Sequence, residues 1–360
     1  MIDEAEQIKI INTEELIKRL FNRMDELFLQ AQGRYPLYCE GSDSKLGTWS
    51  KGGSWVGGYW ASLWWLRAKY FGCNEDQQRA REICLGLSKK LEQDSLNRSM
   101  IFWYGAGLAS LWFNDQDSQL LLEKAAEKLV ANKPHASLFF PLGAAMGGGA
   151  SGSQRVTVDT LSSLVQLLKK TGHSSLAQQH LNVLIKHCLT DNGSYPELKV
   201  IEGHVQTVGI AGDWSRGQAW FMLGLAQAAR YWPELYGVPA VNMAKYWIAS
   251  RGVNIPLNRL SEPTGLEDPS AAVIASLAMF NLAAIDLGGK QNIWHERASQ
   301  LLKALSMSDH VETNPSAARF SGCCYRLSAG SEQLVESPWG TFLLLQALCL
   351  MTEHLSVDEC

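Results

Sequence analysis

The chain has 360 residues, a formal net charge of −4, and 46% hydrophobic against 19% charged residues. This balance excludes electrostatic attraction to nucleic acid or an anionic membrane surface, and it supplies too much apolar material for disorder. No apolar run reaches the roughly 18–20 residues that span a bilayer, and the acidic start Met-Ile-Asp-Glu-Ala-Glu-Gln lacks the basic–apolar–small order of a secretion signal.

Apolar residues recurring every 3.6 positions, with stop signals between them, predict about twelve helices. Their spans are 12–32, 54–71, 75–91, 100–113, 117–131, 156–171, 174–189, 214–231, 238–250, 269–287, 292–307 and 337–354. Only short pieces near 195–210 and 318–327 have any strand character. Odd-numbered helices such as Asp115–Ala131 are amphipathic, with Glu and Lys on one face. Even-numbered helices such as Gly217–Ala229 and Ala271–Ala284 are apolar nearly all round and rich in Ala and Gly, so they must be buried on every side.

Long loops over 41–54, 132–155, 190–213, 251–268 and 308–336 precede most even-numbered helices, whereas the loops that follow them are short. Six apolar helices inside six amphipathic ones satisfy this pattern: an all-α fold, an (α/α)6 barrel forming one domain over 1–360. The competing all-helical arrangements are a plain bundle and an open solenoid, and no repeating signature of a solenoid is found. A ligand site is expected where the long loops and inner-helix N-termini gather, and free N–H groups there suit an anionic ligand.

The eight cysteines are scattered and form no C-x-x-C pair. They read as reduced thiols of a cytoplasmic protein, and no metal or other cofactor is expected. Gly147-Gly148-Gly149 lacks the ending of a phosphate-binding loop, and Ser151-Gly152-Ser153 lacks the strand of a nucleophile elbow.

Three segments carry the polar and aromatic residues of a candidate site. Gly47–Leu66 is rich in glycine and holds Trp49, Trp55, Trp60, Trp64 and Trp65. Indoles on such a loop make a wall for sugar rings, whose C–H faces stack while their hydroxyls stay solvated; Trp64 and Trp65 equally suit a helix–helix seam. Asp159, in Val158-Asp-Thr160, stands at the predicted start of the sixth helix, either as a general acid with a raised pKa or as a helix cap. Gln206–Trp220 brings Gln206, Trp214, Arg216, Gln218 and Trp220 close together, with His204 just before them. Arg216 suits a carboxylate or sulfate, or else an internal partner such as Asp213. Asp268 followed by Pro269 reads as a helix N-cap. His173, His180 and His187 fall at solvent-facing positions of the seventh helix.

Together these motifs resemble the unsaturated glucuronyl hydrolases and their allied rhamnogalacturonyl branch. The resemblance covers most of the chain. Trp214-Ser-Arg-Gly-Gln-Ala-Trp220 is similar, almost letter for letter, to the family's Trp-Ala/Ser-Arg-Gly-Gln-Ala-Trp; Gly58–Trp65, Val158-Asp-Thr160, Asp268-Pro-Ser-Ala-Ala272 and Pro338-Trp-Gly-Thr-Phe342 resemble further segments in order. The resemblance implies an (α/α)6-barrel glycoside hydrolase that removes a 4,5-unsaturated uronic acid from an oligosaccharide by hydrating its double bond. It implies Asp159 as the acid/base, with Trp60, His204, Gln206, Trp214, Arg216, Gln218 and Trp220 around the sugar.

The chain departs from the pattern at three places. A second Asp is replaced within Arg98–Trp103, leaving Asp94, Glu202 or Asp213 to stand in; a Trp before the acid is absent from Phe140–Val158; and a His is lost near Gly193-Ser-Tyr-Pro-Glu197. The other readings are a glycan-binding barrel without catalysis and a sugar epimerase or isomerase. The latter class relies on several histidines, and only His204 and His135 are offered here.

Overall fold

A computed structural model of the chain describes residues 12–41, 47–134, 137–285, 291–328 and 331–360. Its helices alternate as the apolar patterning requires. The even-numbered ones are α2 (Gly57–Phe71), α4 (98–113), α6 (Leu161–Lys170), α8 (Ser215–Tyr231), α10 (Pro269–Ala283) and α12 (Pro338–Met351). The odd-numbered ones are α1 (Thr13–Ala31), α3 (Asn74–Leu85), α5 (Gln116–Asn132), α7 (Ser174–Cys188), α9 (Pro233–Arg251) and α11 (Gln291–Ser306). Helix α4 is broken by a π-turn over Trp103–Gly107, and the indole N–H of Trp65 on α2 donates to the Gly105 carbonyl in that turn at 2.9 Å.

The even-numbered helices pack in sequence, α2 on α4, then α6, α8, α10 and α12, and α12 returns to α2. Each odd-numbered helix lies outside this ring: α3 on α2, α5 on α4, α7 on α6, α9 on α8, α11 on α10 and α1 on α12. Burial follows the same division. Nearly every residue of α8, α10 and α12 is buried, whereas α1 buries only one stripe, including Leu16, Leu20, Met24 and Leu27. Close approach in the ring depends on Gly58, where a Cβ would collide with the Ile101 carbonyl of α4.

The chain is mainly helical and not purely so. The long loops fold into strands β1 (Tyr35–Glu40), β2 (Gly47–Ser50), β3 (Arg155–Thr157), β4 (Glu197–Ile201), β5 (His204–Val208), β6 (Cys323–Ser328) and β7 (Ser331–Glu336). They form an antiparallel four-stranded sheet in the order β6-β7-β1-β2 and a three-stranded one in the order β3-β4-β5. Two shorter pairs join Leu189–Thr190 to Gly193–Ser194 and Val311–Thr313 to Ala318–Phe320. Sequence periodicity anticipates the regions of β4–β5 and β6, but not β1, β2 or β3. Cys39 of β1 pairs with Glu336, a partner far outside any local window.

Glu336, 2% exposed, receives Arg23 of α1 through both oxygens at 2.9 and 2.7 Å and Arg319 at 3.0 Å, tying the first helix to the four-stranded sheet. His180 corrects the solvent-facing expectation: it is fully buried in α7 and accepts the Phe140 N–H through Nδ1 at 3.1 Å, and burial pushes its pKa down to about 3. All eight cysteines are free thiols. No helix among the described residues is long and apolar enough to cross a membrane.

Candidate active site

A cavity of about 440 Å³ opens at one end of the ring. Its wall is built from inner-helix entrances: Trp55 before α2, Asn97 and Met100 at α4, Asp159 before α6, Trp214, Arg216 and Trp220 at α8, and Trp339 at α12. Loop and strand residues complete it, among them Arg155, Glu197, Arg259 and Tyr325. The convergence of long loops at one end therefore does create a cleft.

Asp159 is not a helix cap. Helix α6 starts at Leu161 because 155–157 is drawn off into β3, and its N-cap position is Thr160, with no side-chain capping bond. Asp159 Oδ1 is buried and has no hydrogen-bond partner. Burial is the largest influence on this carboxyl; Arg216 opposes it, Glu197 adds to it, and the pKa is pushed up from 3.8 to about 6. A carboxyl group poised there can give and take a proton near neutrality.

Arg216, on the first turn of α8, donates through Nη1 to Asp268 Oδ2 at 3.1 Å and to the Cys324 carbonyl at 2.8 Å. Its guanidinium carbon lies 5.2 Å from the Trp214 ring centre and 5.6 Å from that of Trp339. Burial disfavours the charge on Arg216, but Asp268 and then Asp159 outweigh that and keep it cationic. Asp268 caps α10 as its Asp-Pro spelling predicts, accepting the Ala271 N–H at 3.2 Å. Trp214 lies across Gly217, where any Cβ would strike the indole, and its own N–H donates to Asn258 Oδ1 at 3.2 Å.

The remaining sequence candidates lie elsewhere. Trp60 is buried in the core, edge-on to Trp64 at 5.7 Å; Trp64 and Trp65 fill helix seams. Trp49 lies on β2 beside Arg34, so of the Gly47–Leu66 indoles Trp55 is the one lining the cavity. Gln218 is buried behind the wall, accepting the Ser194 N–H at 2.8 Å. His204 and Gln206 are exposed on β5 and do not line the cavity, because the β4–β5 hairpin carries them outward. His135 falls outside the described residues.

Asp94 is exposed, accepting the Ala144 N–H; Glu202 is exposed in the β4–β5 turn; and Asp213 is occupied by Arg259 at 3.2 Å and the Ser261 N–H at 2.8 Å. None of these three lines the cavity. The carboxylate that does so beside Asp159 is Glu197, held by Arg155 Nε and Nη2 at 2.8 and 2.6 Å. Local sequence carries no signal for this pair; it arises from the β3–β4 register, which sets Thr157 opposite Glu197.

No family model matches the chain. It is 25% identical over 284 residues to an unsaturated glucuronyl hydrolase of Bacillus sp. (strain GL1), covering 70% of this chain and 72% of the relative. A crystal structure of the unsaturated glucuronyl hydrolase from Bacillus sp. GL1 superposes with a TM-score of 0.81 and 19% identity, covering 94% of this chain and 96% of the other. A UGL variant described with dGlcA-Glc-Rha-Glc gives 0.83 and 20%, with the same coverage. At such identities the superpositions speak for the fold. In sequence over most of its length, and in fold over nearly all of it, this chain resembles the unsaturated glucuronyl hydrolases.

Proposed function

We propose that the chain is a single-domain (α/α)6-barrel glycoside hydrolase that releases a 4,5-unsaturated uronic acid from the end of an oligosaccharide. The closed ring of inner helices supports the barrel reading. One observation carries the chemistry: Asp159, with a pKa near 6, faces the same indole-walled cavity as a permanently charged arginine. The relative described with dGlcA-Glc-Rha-Glc supports a sugar as ligand.

In this reading Arg216 draws the uronate carboxylate, and Trp55, Trp214, Trp220 and Trp339 enclose the ring. Asp159 gives its proton to C4 of the enol ether and, as carboxylate, takes one from the water that adds at C5. The C5 hemiketal opens to a ketone, leaving C1 as a hemiacetal. That hemiacetal collapses to an aldehyde and expels the remaining sugar. No nucleophile attacks C1, so the carboxylate spacing that separates retaining from inverting glycosidases does not apply.

The test is the ultraviolet absorbance of the enol ether. It decays when purified protein meets 4,5-unsaturated uronyl disaccharides, sulfated and unsulfated. A flat trace with every member of the panel at high protein concentration, together with saturable binding, would move the chain to the glycan-binding reading.

A further inference from the structure

Two carboxylates line the cavity, and they are held in opposite ways. Asp159 Oδ1 has no partner, whereas Glu197 gives both oxygens to Arg155. The Arg155–Glu197 pair spans neighbouring strands β3 and β4, and it is half-buried. The Val158 N–H donates to the Pro196 carbonyl at 3.1 Å, so the backbone carrying Asp159 is laced to the backbone carrying Glu197. Side chain and main chain thus fix Glu197 relative to the acid.

We propose that Glu197, clamped by Arg155, is a positioning residue for Asp159: its carboxylate, held on the cavity wall by the β3–β4 pairing, adds to burial in keeping the proton on Asp159 until its ligand arrives. At α4, Asn97 and Met100, not a carboxylate, face the cavity, so Glu197 is the second carboxylate on its wall among the described residues. The inference rests on Asp159 being the acid of the proposed reaction.

The charged and titratable groups around Asp159 are Arg216 from α8, Glu197 from β4, Arg155 from β3, Tyr59 from α2, Arg259 from the loop before α10 and Tyr325 from β6. Arg155 is engaged by Glu197, and Arg259 by Asp213. Arg216 alone among the cations bears appreciably on Asp159 and lowers its pKa, while Glu197 raises it. Removing the Glu197 charge therefore moves Asp159 downward.

The experiment follows carboxyl titration by carbon-13 NMR in Asp-labelled protein, with the Asp159 signal identified by its loss in Asp159→Asn. Glu197→Gln is expected to lower the Asp159 midpoint by roughly half a unit or more. The double variant Arg155→Gln with Glu197→Gln keeps the net charge and lowers it as well. An unmoved midpoint in folded Glu197→Gln overturns the proposal. If the enol ether is turned over, the alkaline limb of the pH profile moves to lower pH by the same amount. Because the titration needs no substrate, it decides the role of Glu197 even if the hydration assay is negative.

Discussion

Arg216 of the cavity wall and Asp268 join two inner helices: the first turn of α8 donates to the N-cap of α10 at 3.1 Å. Asp268 is fully buried and already accepts from Ser270 and Ala271. The same carboxylate therefore starts one helix and aims the cation of another.

Arg216→Gln is expected to destabilise the protein by about 2–4 kcal/mol in urea denaturation, because a buried carboxylate loses its counter-charge. It also removes the group that holds the Asp159 pKa down, so the Asp159 midpoint rises above about 6. A variant as stable as the parent, or a midpoint that falls, contradicts this geometry.

Asp159→Asn is expected to abolish turnover of unsaturated disaccharides without lowering the melting temperature, since no helix N–H or other donor depends on the carboxylate. A melting point several degrees lower would show that Asp159 bears structural load.

The same substitution has a pH signature. The folded pKa, about 6, lies above the ordinary 3.8, so the folded state holds its proton while the unfolded chain has already lost it. Asp159 thus penalises folding as pH climbs from about 4 to 6, and it is neutral below that window. The variant should match the parent near pH 3.5 and exceed it above pH 6, by at most about 3 kcal/mol. Equal stability of the two proteins at pH 7 would rule out the raised pKa.

Glu336→Gln is expected to cost about 2–3 kcal/mol while leaving the cavity intact, since Arg23 and Arg319 lose their shared buried carboxylate and keep only the more exposed Glu26 and Glu312. Thermal denaturation beside a ligand-binding titration separates the two effects. A loss under about 1 kcal/mol would mean that the cluster is open to water.

Gly58→Ala tests the ring itself. The added methyl meets the Ile101 carbonyl of α4, and a loss of about 2 kcal/mol or more is expected from displaced helix packing. An unchanged denaturation midpoint would show that α2 and α4 are not in this close contact.

Much of this molecule could be read one residue after another. The alternation of amphipathic and wholly apolar helices is a local property, because a helix buried on all sides must be apolar on all sides; hence the inner and outer layers were legible. So were the Asp268 cap, which needs only its own first turn, and the gathering of Asp159, Trp214, Arg216 and Trp220, whose positions at helix entrances put them at one end. What stayed hidden depends on partners distant in sequence. Trp60 and Trp55 sit five residues apart on one aromatic stretch, yet Trp60 on α2 turns into the core while Trp55, in the loop before that helix, faces the cavity. The β4–β5 hairpin turns Gln206 and His204 out to solvent, and strand register alone brings Glu197 to Arg155 and the wall beside Asp159. Periodicity specifies which faces must be buried; only closure of the chain decides which charges then meet.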